Sequence, residues 1–245
     1  MNWSRFVALG DSFTEGLDDP NPDGTYRGWA DLVADTLGVR YANFAVRGKL
    51  FDAVVKEQVK PGLALKPDLI SFAAGGNDVL RRQCDPPALM KRYDKLIKRL
   101  RATRADVVVF RFANLLKRLP GNKMIGPRVH YVNDHVGETA QRYGARLVDL
   151  WADDEFDNPA MWSVDRLHLS TAGHLRTAAH VLTALDVEPD PLWWKVPPWP
   201  TAKSWPRARA DDVVWAGRHL LPWIQRRLTG KSSGDGRTAK RPGFD

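Results

Sequence analysis

The 245-residue chain predicts an α/β fold, a three-layer α/β/α sandwich built on a parallel sheet. Three observations carry that expectation. Short β-branched runs alternate with longer amphipathic stretches up to about residue 185, the pattern of strand–helix–strand units joined by right-handed crossovers. The length suffices for one sizeable core with an appendage. Hydrophobic residues make up 43% and charged residues 27%, ordinary for a globular protein, and no apolar run approaches the roughly 20 residues that span a bilayer.

Strands are expected at Arg5–Gly10, Arg40–Phe44, Leu69–Phe72, Val107–Phe110 and Arg146–Asp149. Helical periodicity covers Trp29–Leu37, Leu50–Val59, Pro87–Ala102 and roughly Arg128–Tyr143. A last helix follows Ser170 or Thr171, natural N-caps, and carries Leu175, Ala178, Ala179, Leu182 and Leu185 on one face. In such sheets ligands bind beyond the carboxyl ends of the strands, where the strand order reverses. The residues just after each strand are therefore the candidates for chemistry.

The α/β domain is assigned to residues 1–185, and after Leu185 the composition changes. Asp186–Pro206 is dense in proline and tryptophan without periodicity, a strap expected to wrap the α/β body with tryptophans as anchors. Residues from about Ala208 to Leu228 read as a helix, with Val213, Leu220, Ile224 and Leu228 on one face and Asp211-Asp212 near its start. Pro222 should kink or split it. Residues 186–229 are thus a strap and helix packed on the domain, and Gly230–Asp245, rich in Gly, Ser, Lys and Arg, is expected to be a disordered basic tail.

Net charge is +8, and Lys195–Asp245 holds eleven Lys/Arg against four Asp/Glu, nearly the whole excess. A solvated face with a loose tail accounts for this more simply than a nucleic-acid surface, which is not expected. Cys84 is the only cysteine, so an intrachain disulfide and a multi-cysteine metal site are excluded. Its polar surroundings, Arg81 to Pro86, read as a loop rather than a nucleophile's setting. At the N-terminus Phe6-Val7-Ala8-Leu9 is too short for a signal-peptide core, which points to a cytoplasmic location.

Four short motifs fall at strand ends. Gly10-Asp11-Ser12 closes strand one and sets a serine at a strand-to-helix junction, where backbone N–H groups point outward. Asn43-Phe44-Ala45-Val46-Arg47-Gly48 follows strand two and ends in a glycine whose N–H a ligand could approach. Gly75-Gly76-Asn77-Asp78 follows strand three, and Asn77 offers a neutral, fixed amide donor suited to an oxyanion. Asp165-Arg166-Leu167-His168, the chain's one D-x-x-H, precedes the last helix and presents a base with an orienting carboxylate. Singly each is common. Together they supply Ser12 as nucleophile, the amides of Ser12 and Gly48 with the Asn77 side chain as oxyanion donors, His168 as base and Asp165 as its partner.

GDSF near the N-terminus, the glycine of NFAVRG, GGND, and DRLH resemble the blocks of the SGNH (GDSL-like lipase/esterase) hydrolases, and the resemblance spans about residues 5–185. It implies a flavodoxin-like sheet of about five parallel strands in the order 2-1-3-4-5, which would bring Ser12 and Asn77 to one crevice. It implies the roles just given for Ser12, Gly48, Asn77, Asp165 and His168, and a small-molecule ester substrate carrying an alcohol, sugar or lipid portion. Phe13 stands where leucine is usual after Gly-Asp-Ser. No metal or organic cofactor is expected.

Asp11 and Asp78 read as loop-stabilising acceptors, Arg111 and Asn114 as residues at the cleft or the surface, and Trp162 as core or as a wall for an acyl group. His174 and His180 read as ordinary helix residues. Acyl transfer by the same triad, and a catalytically silent binding module with a basic C-terminal segment, are the alternatives. The same residues serve hydrolysis and transfer alike, whereas a silent module has no use for all five.

Overall fold

A computed structural model describes residues 3–118, 122–201, 203–229 and 232–244. Five parallel strands form one sheet: β1 (Arg5–Gly10), β2 (Arg40–Asn43), β3 (Leu69–Ala73), β4 (Asp106–Arg111) and β5 (Arg146–Asp149), ordered β2-β1-β3-β4-β5. The register aligns Gly10 with Ala73, so β1 and β3 end side by side at the centre of the sheet. Strand order reverses between them, the place where an open α/β sheet forms a crevice.

The strands are apolar on both faces, as a sheet covered by helices requires. Val7 and Leu9 of β1, Ile70 and Phe72 of β3, and Val107 and Val109 of β4 point into one core; Phe6 and Ala8, Leu69 and Ala73, and Val108 and Phe110 point into the other. The first core is closed by α3 (Phe51–Val54), α4 (Lys60–Ala64), α6 (Pro86–Arg101) and α7 (Asn122–Tyr143). The second is closed by α2 (Trp29–Leu37) and α8 (Thr171–Ala184). Ser170 caps α8 as expected, its hydroxyl accepting from Gly173 N at 3.3 Å. Two short helices sit at strand ends: α1 (Ser12–Glu15) after β1 and α5 (Gly76–Val79) after β3.

The main helix boundaries that differ from the sequence expectation involve proline. A π-helical turn at Val55–Val59 carries α3 on into α4 past Pro61, and α7 begins at Asn122 although Pro127 lies inside it. Pro127 is the sixth residue of α7, so the N–H it lacks leaves the Lys123 carbonyl without its helical donor, a cost that the apolar packing of α7 on the first core outweighs. The C-terminal helix is formed by α9 (Trp205–Trp215), a π turn (Ala216–Leu220) and α10 (Leu221–Leu228), with Pro222 in the first turn of α10. Val213 on it is exposed; the side chains of Ile224 and Leu228 lie outside what is described.

Between α8 and α9, Trp193 and Val196 pack on the second core, Trp194 sits edge-on to His180 at 4.8 Å, and Asn158 Nδ2 donates to the Pro197 carbonyl at 2.7 Å. Trp199 and Trp205 face solvent. Residues 232–244 depart from the disorder expected of the tail. Arg241 forms an isolated antiparallel bridge with Asn43 of β2, with Asn43 N donating to the Arg241 carbonyl at 2.7 Å, and the Arg40 guanidinium lies over Phe244. The Lys240 ammonium is held by Asp31 Oδ2 at 2.6 Å and the Tyr26 carbonyl at 2.8 Å. Composition misled here, because the edge of β2 offers the unpaired backbone groups that order such a segment. Residues 230, 231 and 245 of that tail lie outside the described residues. No described helix is long and apolar enough to cross a membrane.

Candidate active site

The end of β1 is built to hold a serine. Gln58 is buried and its amide pairs with both backbone groups of Gly10: Gly10 N donates to Gln58 Oε1 at 2.8 Å and Gln58 Nε2 donates to the Gly10 carbonyl at 2.9 Å. Asp11 then caps α1, its carboxylate accepting from Phe13 N at 3.2 Å. Ser12, the first residue of α1, is 9% exposed and its backbone N–H has no partner among the described residues.

Ser12 Oγ lies 3.0 Å from His168 Nε2, and His168 Nδ1 lies 2.5 Å from Asp165 Oδ2. The loop carrying the pair is closed by an antiparallel bridge between Trp162 and Leu169 and by Ser163 N donating to the His168 carbonyl at 2.8 Å. Within it Asp165 Oδ1 accepts from Leu167 N and His168 N, at 2.9 and 3.0 Å. One carboxylate thus folds its own loop with one oxygen and orients the imidazole with the other.

Burial opposes charge on His168, but Asp165, with Asp18 and Asp11 beyond it, holds its pKa above the ordinary histidine value. Burial likewise raises Asp165, and the hydrogen bonds and charge of His168 outweigh it, leaving the carboxyl at about 2. Among the described residues Asp11 has no ion-pair partner; burial drives it up to about 7 against the pull of Phe13 N, His168 and Asn77.

Asn77 lies on α5 beside Ser12, as the β1–β3 register requires. Its Nδ2 donates to Asp11 Oδ2 at 3.0 Å and to the Lys49 carbonyl at 3.2 Å, so the amide is already aimed by two acceptors. Gly48 adopts a left-handed φ of 73° and its N–H has no partner among the described residues. The fold therefore brings Ser12, Asn77, Asp165 and His168 to one cleft, with Gly48 on the loop beside Lys49.

From Ser12 and His168 a cavity runs between α5, α7 and the chain just after β4. Its wall is apolar: Phe13, Val79, Leu80, Phe112, Leu115, Val129, Val132, Leu150, Trp162 and Leu167 line it. Phe13, the residue after the serine, packs edge-on against Phe110 and Phe112 at 5.3 and 5.6 Å, so its ring forms the floor. Trp162 is both core and wall, since it is buried with Nε1 donating to the Phe156 carbonyl at 2.6 Å.

The other singled-out residues lie as follows. Asp78 accepts from Phe51 N at 2.9 Å. Arg111 pairs with Asp149 at 2.9 Å, and Asn114 accepts from Leu116 N at 3.0 Å; neither lines the apolar cavity. His174 is buried, its Nδ1 accepting from Trp29 N at 3.3 Å and its Nε2 donating to the Leu17 carbonyl at 3.2 Å, and burial lowers its pKa to about 4. His180 lies 2.6 Å from Asp153 Oδ2. Burial pushes the Cys84 thiol up, and the residue lines a separate polar cavity with Asp78 and Arg92.

Sequence reasoning missed several contacts on the histidine loop and its neighbourhood. Asp18, held at φ 69°, places Oδ2 4.0 Å from His168 Nδ1. Asp18, Asp165 and His168 form the one described cluster with metal-ligand proximity, but the 2.5 Å contact to Asp165 uses Nδ1 as a hydrogen-bond donor and leaves it no lone pair for an ion. Trp215 Nε1 donates to the Asp165 carbonyl at 3.1 Å, and Arg166, paired with Asp212 at 2.8 Å, stacks on the Trp215 ring. Ser232 and Ser233 abut Gly48. The G-x-S-x-G spacing around Ser232 is no nucleophile elbow, because it follows a helix rather than a strand.

A family model described as the GDSL-like lipase/acylhydrolase family matches residues 8–176, more than half of the chain. Among solved structures, the fold is similar to LAE5, an alpha/beta hydrolase enzyme from the metagenome of Lake Arreo, at 23% identity and a TM-score of 0.63, over 75% of this chain and 95% of that one. It is similar to TesA at 21% identity and a TM-score of 0.62, over 74% and 98%. It is also similar to a lipase/acylhydrolase from Enterococcus faecalis at 19% identity and a TM-score of 0.60, over 76% and 98%. No curated protein matches the sequence. The matched span contains Ser12, Gly48, Asn77, Asp165 and His168, and the chain belongs to the GDSL-like lipase/acylhydrolase family, a family of hydrolases.

Proposed function

We propose that the chain hydrolyses carboxylic esters of a lipophilic acyl group through an acyl-serine intermediate. The observation that carries this reading is the hydrogen-bonded line Ser12 Oγ–His168–Asp165 opening onto the apolar cavity. His168 takes the hydroxyl proton at Nε2 as Ser12 Oγ attacks the ester carbonyl, while Asp165 holds Nδ1 as donor and stabilises the imidazolium. The oxyanion is met by the N–H groups of Ser12 and Gly48 and by Asn77, which exchanges its 3.2 Å contact with the Lys49 carbonyl for the new charge. Collapse releases the alcohol with the proton from His168. Water, deprotonated by the same nitrogen, then frees the acid and restores Ser12.

The apolar wall at Phe112, Leu115 and Leu150 supports an acyl group lying on that side of Ser12. Hydrolysis of a p-nitrophenyl series from acetate to palmitate is expected to peak between these ends. Leu115→Trp, which fills the cavity, is expected to move the optimum toward acetate and cut longer esters about tenfold or more. An unchanged chain-length profile in that variant would remove the acyl group from this cavity.

The base works only when neutral, and the folded protein holds His168 above the ordinary histidine pKa of 6.5. kcat/KM is therefore expected to fall on the acid side of a midpoint above 6.5, as measured on a short soluble ester. The linked stability has the opposite sense: pairing with Asp165 stabilises the fold below the ordinary histidine value and fades as pH rises through the raised one. For Asp165, at about 2, the stabilisation is full above the ordinary carboxylate value and is lost as pH falls toward 2.

A further inference from the structure

Residues 232–244 lie beyond the family-matched span, yet they reach the loop that bears Gly48. We propose that this C-terminal segment is a positioning element for the oxyanion loop, the turn Ser232–Asp235 fixing where the Gly48 N–H points. The proposal rests on the esterase reading above.

The contact is close and specific. A Cβ on Gly48 would fall inside van der Waals contact with Ser232 Oγ and 3.0 Å from Ser233 Oγ, so the two hydroxyls cover the glycine's Cα. In return, a Cβ on Gly234 would land on the Arg47 carbonyl oxygen and 3.1 Å from Val46 Cγ1. Two backbones thus pack glycine to loop, an approach no side chain permits. The turn is self-supported: Ser232 N donates to Asp235 Oδ2 at 2.7 Å and Gly234 N to Ser232 Oγ at 3.2 Å.

The loop has reason to need a clamp. It follows β2, the edge strand, and residues Phe44–Val46 have no regular structure. Its inner side is fixed by the buried Arg47–Glu15 ion pair and by Arg47 N donating to Glu15 Oε2 at 2.7 Å. Its outer side is fixed by the segment. Asn43 joins the parts: its Nδ2 donates to the Thr14 carbonyl of α1 at 2.8 Å while its N–H donates to Arg241. The nucleophile helix, the edge strand and the C-terminal segment are tied through that one residue. The clamp leaves the Gly48 N–H without a described partner, which is what a positioning role requires and a blocking role does not.

The test compares wild type with Gly234→Ala, which must lift the turn off Arg47, and Ser232→Ala, which removes the turn's internal acceptor. kcat and KM on p-nitrophenyl butyrate, the Ki of an alkyl boronic acid and Tm are measured for all three. Gly234→Ala is expected to lose about tenfold or more in kcat, as small misplacements of a transition-state donor do. KM should stay within about twofold, and the boronate, which forms a tetrahedral adduct on the serine, should weaken by the same factor as kcat/KM. Ser232→Ala should show a smaller loss in the same pattern. Wild-type kcat in both folded variants, or a faster variant, overturns the proposal. A wild type that neither turns over esters nor binds the boronate overturns the esterase reading itself, and the positioning role with it.

Discussion

Ser12→Ala is expected to lower kcat on a p-nitrophenyl ester by about 10⁴- to 10⁶-fold while leaving Tm within a few degrees. The size follows from what one atom does: Oγ is the attacking group, and the base and orienting acid have nothing to activate without it. The residual rate over water reflects the oxyanion donors and the cavity, which the substitution leaves in place. Stability should hold because, among the described residues, Ser12 Oγ makes no hydrogen bond other than the 3.0 Å one to His168. A variant that retained a tenth of the wild-type rate would move the nucleophile elsewhere.

Asp165→Asn is expected to cost about 10⁴-fold in kcat with little loss of Tm. An asparagine carbonyl can still accept from Leu167 N and His168 N, the 2.9 and 3.0 Å bonds that fold the loop. The new amide group, however, faces His168 Nδ1 as a donor in place of the carboxylate oxygen now at 2.5 Å. The imidazole answers by carrying its proton on Nε2, toward Ser12, where it can no longer accept one. Steady-state kinetics and thermal unfolding on one preparation separate this tautomer effect from collapse of the loop, which would lower Tm as well. The acid limb should also shift to lower pH, since the group that raises His168 most is gone.

The strands were legible because alternate residues feed two cores: a run such as Val107-Val108-Val109-Phe110 is buried on both faces and has no polar partner that could mask it. The nucleophile, base and acid were legible for a related reason. Each sits within a few residues of a strand end or a helix cap, so local sequence nearly determines its position, as Asp165 and His168 show by sharing one closed loop. What escaped depends on residues far apart in the chain. Asp18 approaches His168 through a left-handed backbone that no motif announces. The cavity wall gathers Phe13, Leu115, Val132 and Leu150 from four separate stretches of the chain, each an ordinary apolar residue in its own segment. The C-terminal segment was misread for the same reason: its Gly-Ser-Lys-Arg composition cannot build a core, but it borrows order from the edge of β2 and from Asp31.

Covalent chemistry at Ser12 is read out by reacting the protein with an alkyl fluorophosphonate and locating the adduct by peptide mass spectrometry. One stoichiometric adduct is expected on the peptide containing Ser12, none in Ser12→Ala, and slow labelling in Asp165→Asn. An unlabelled wild type, or an adduct on another residue such as Ser232, would contradict it.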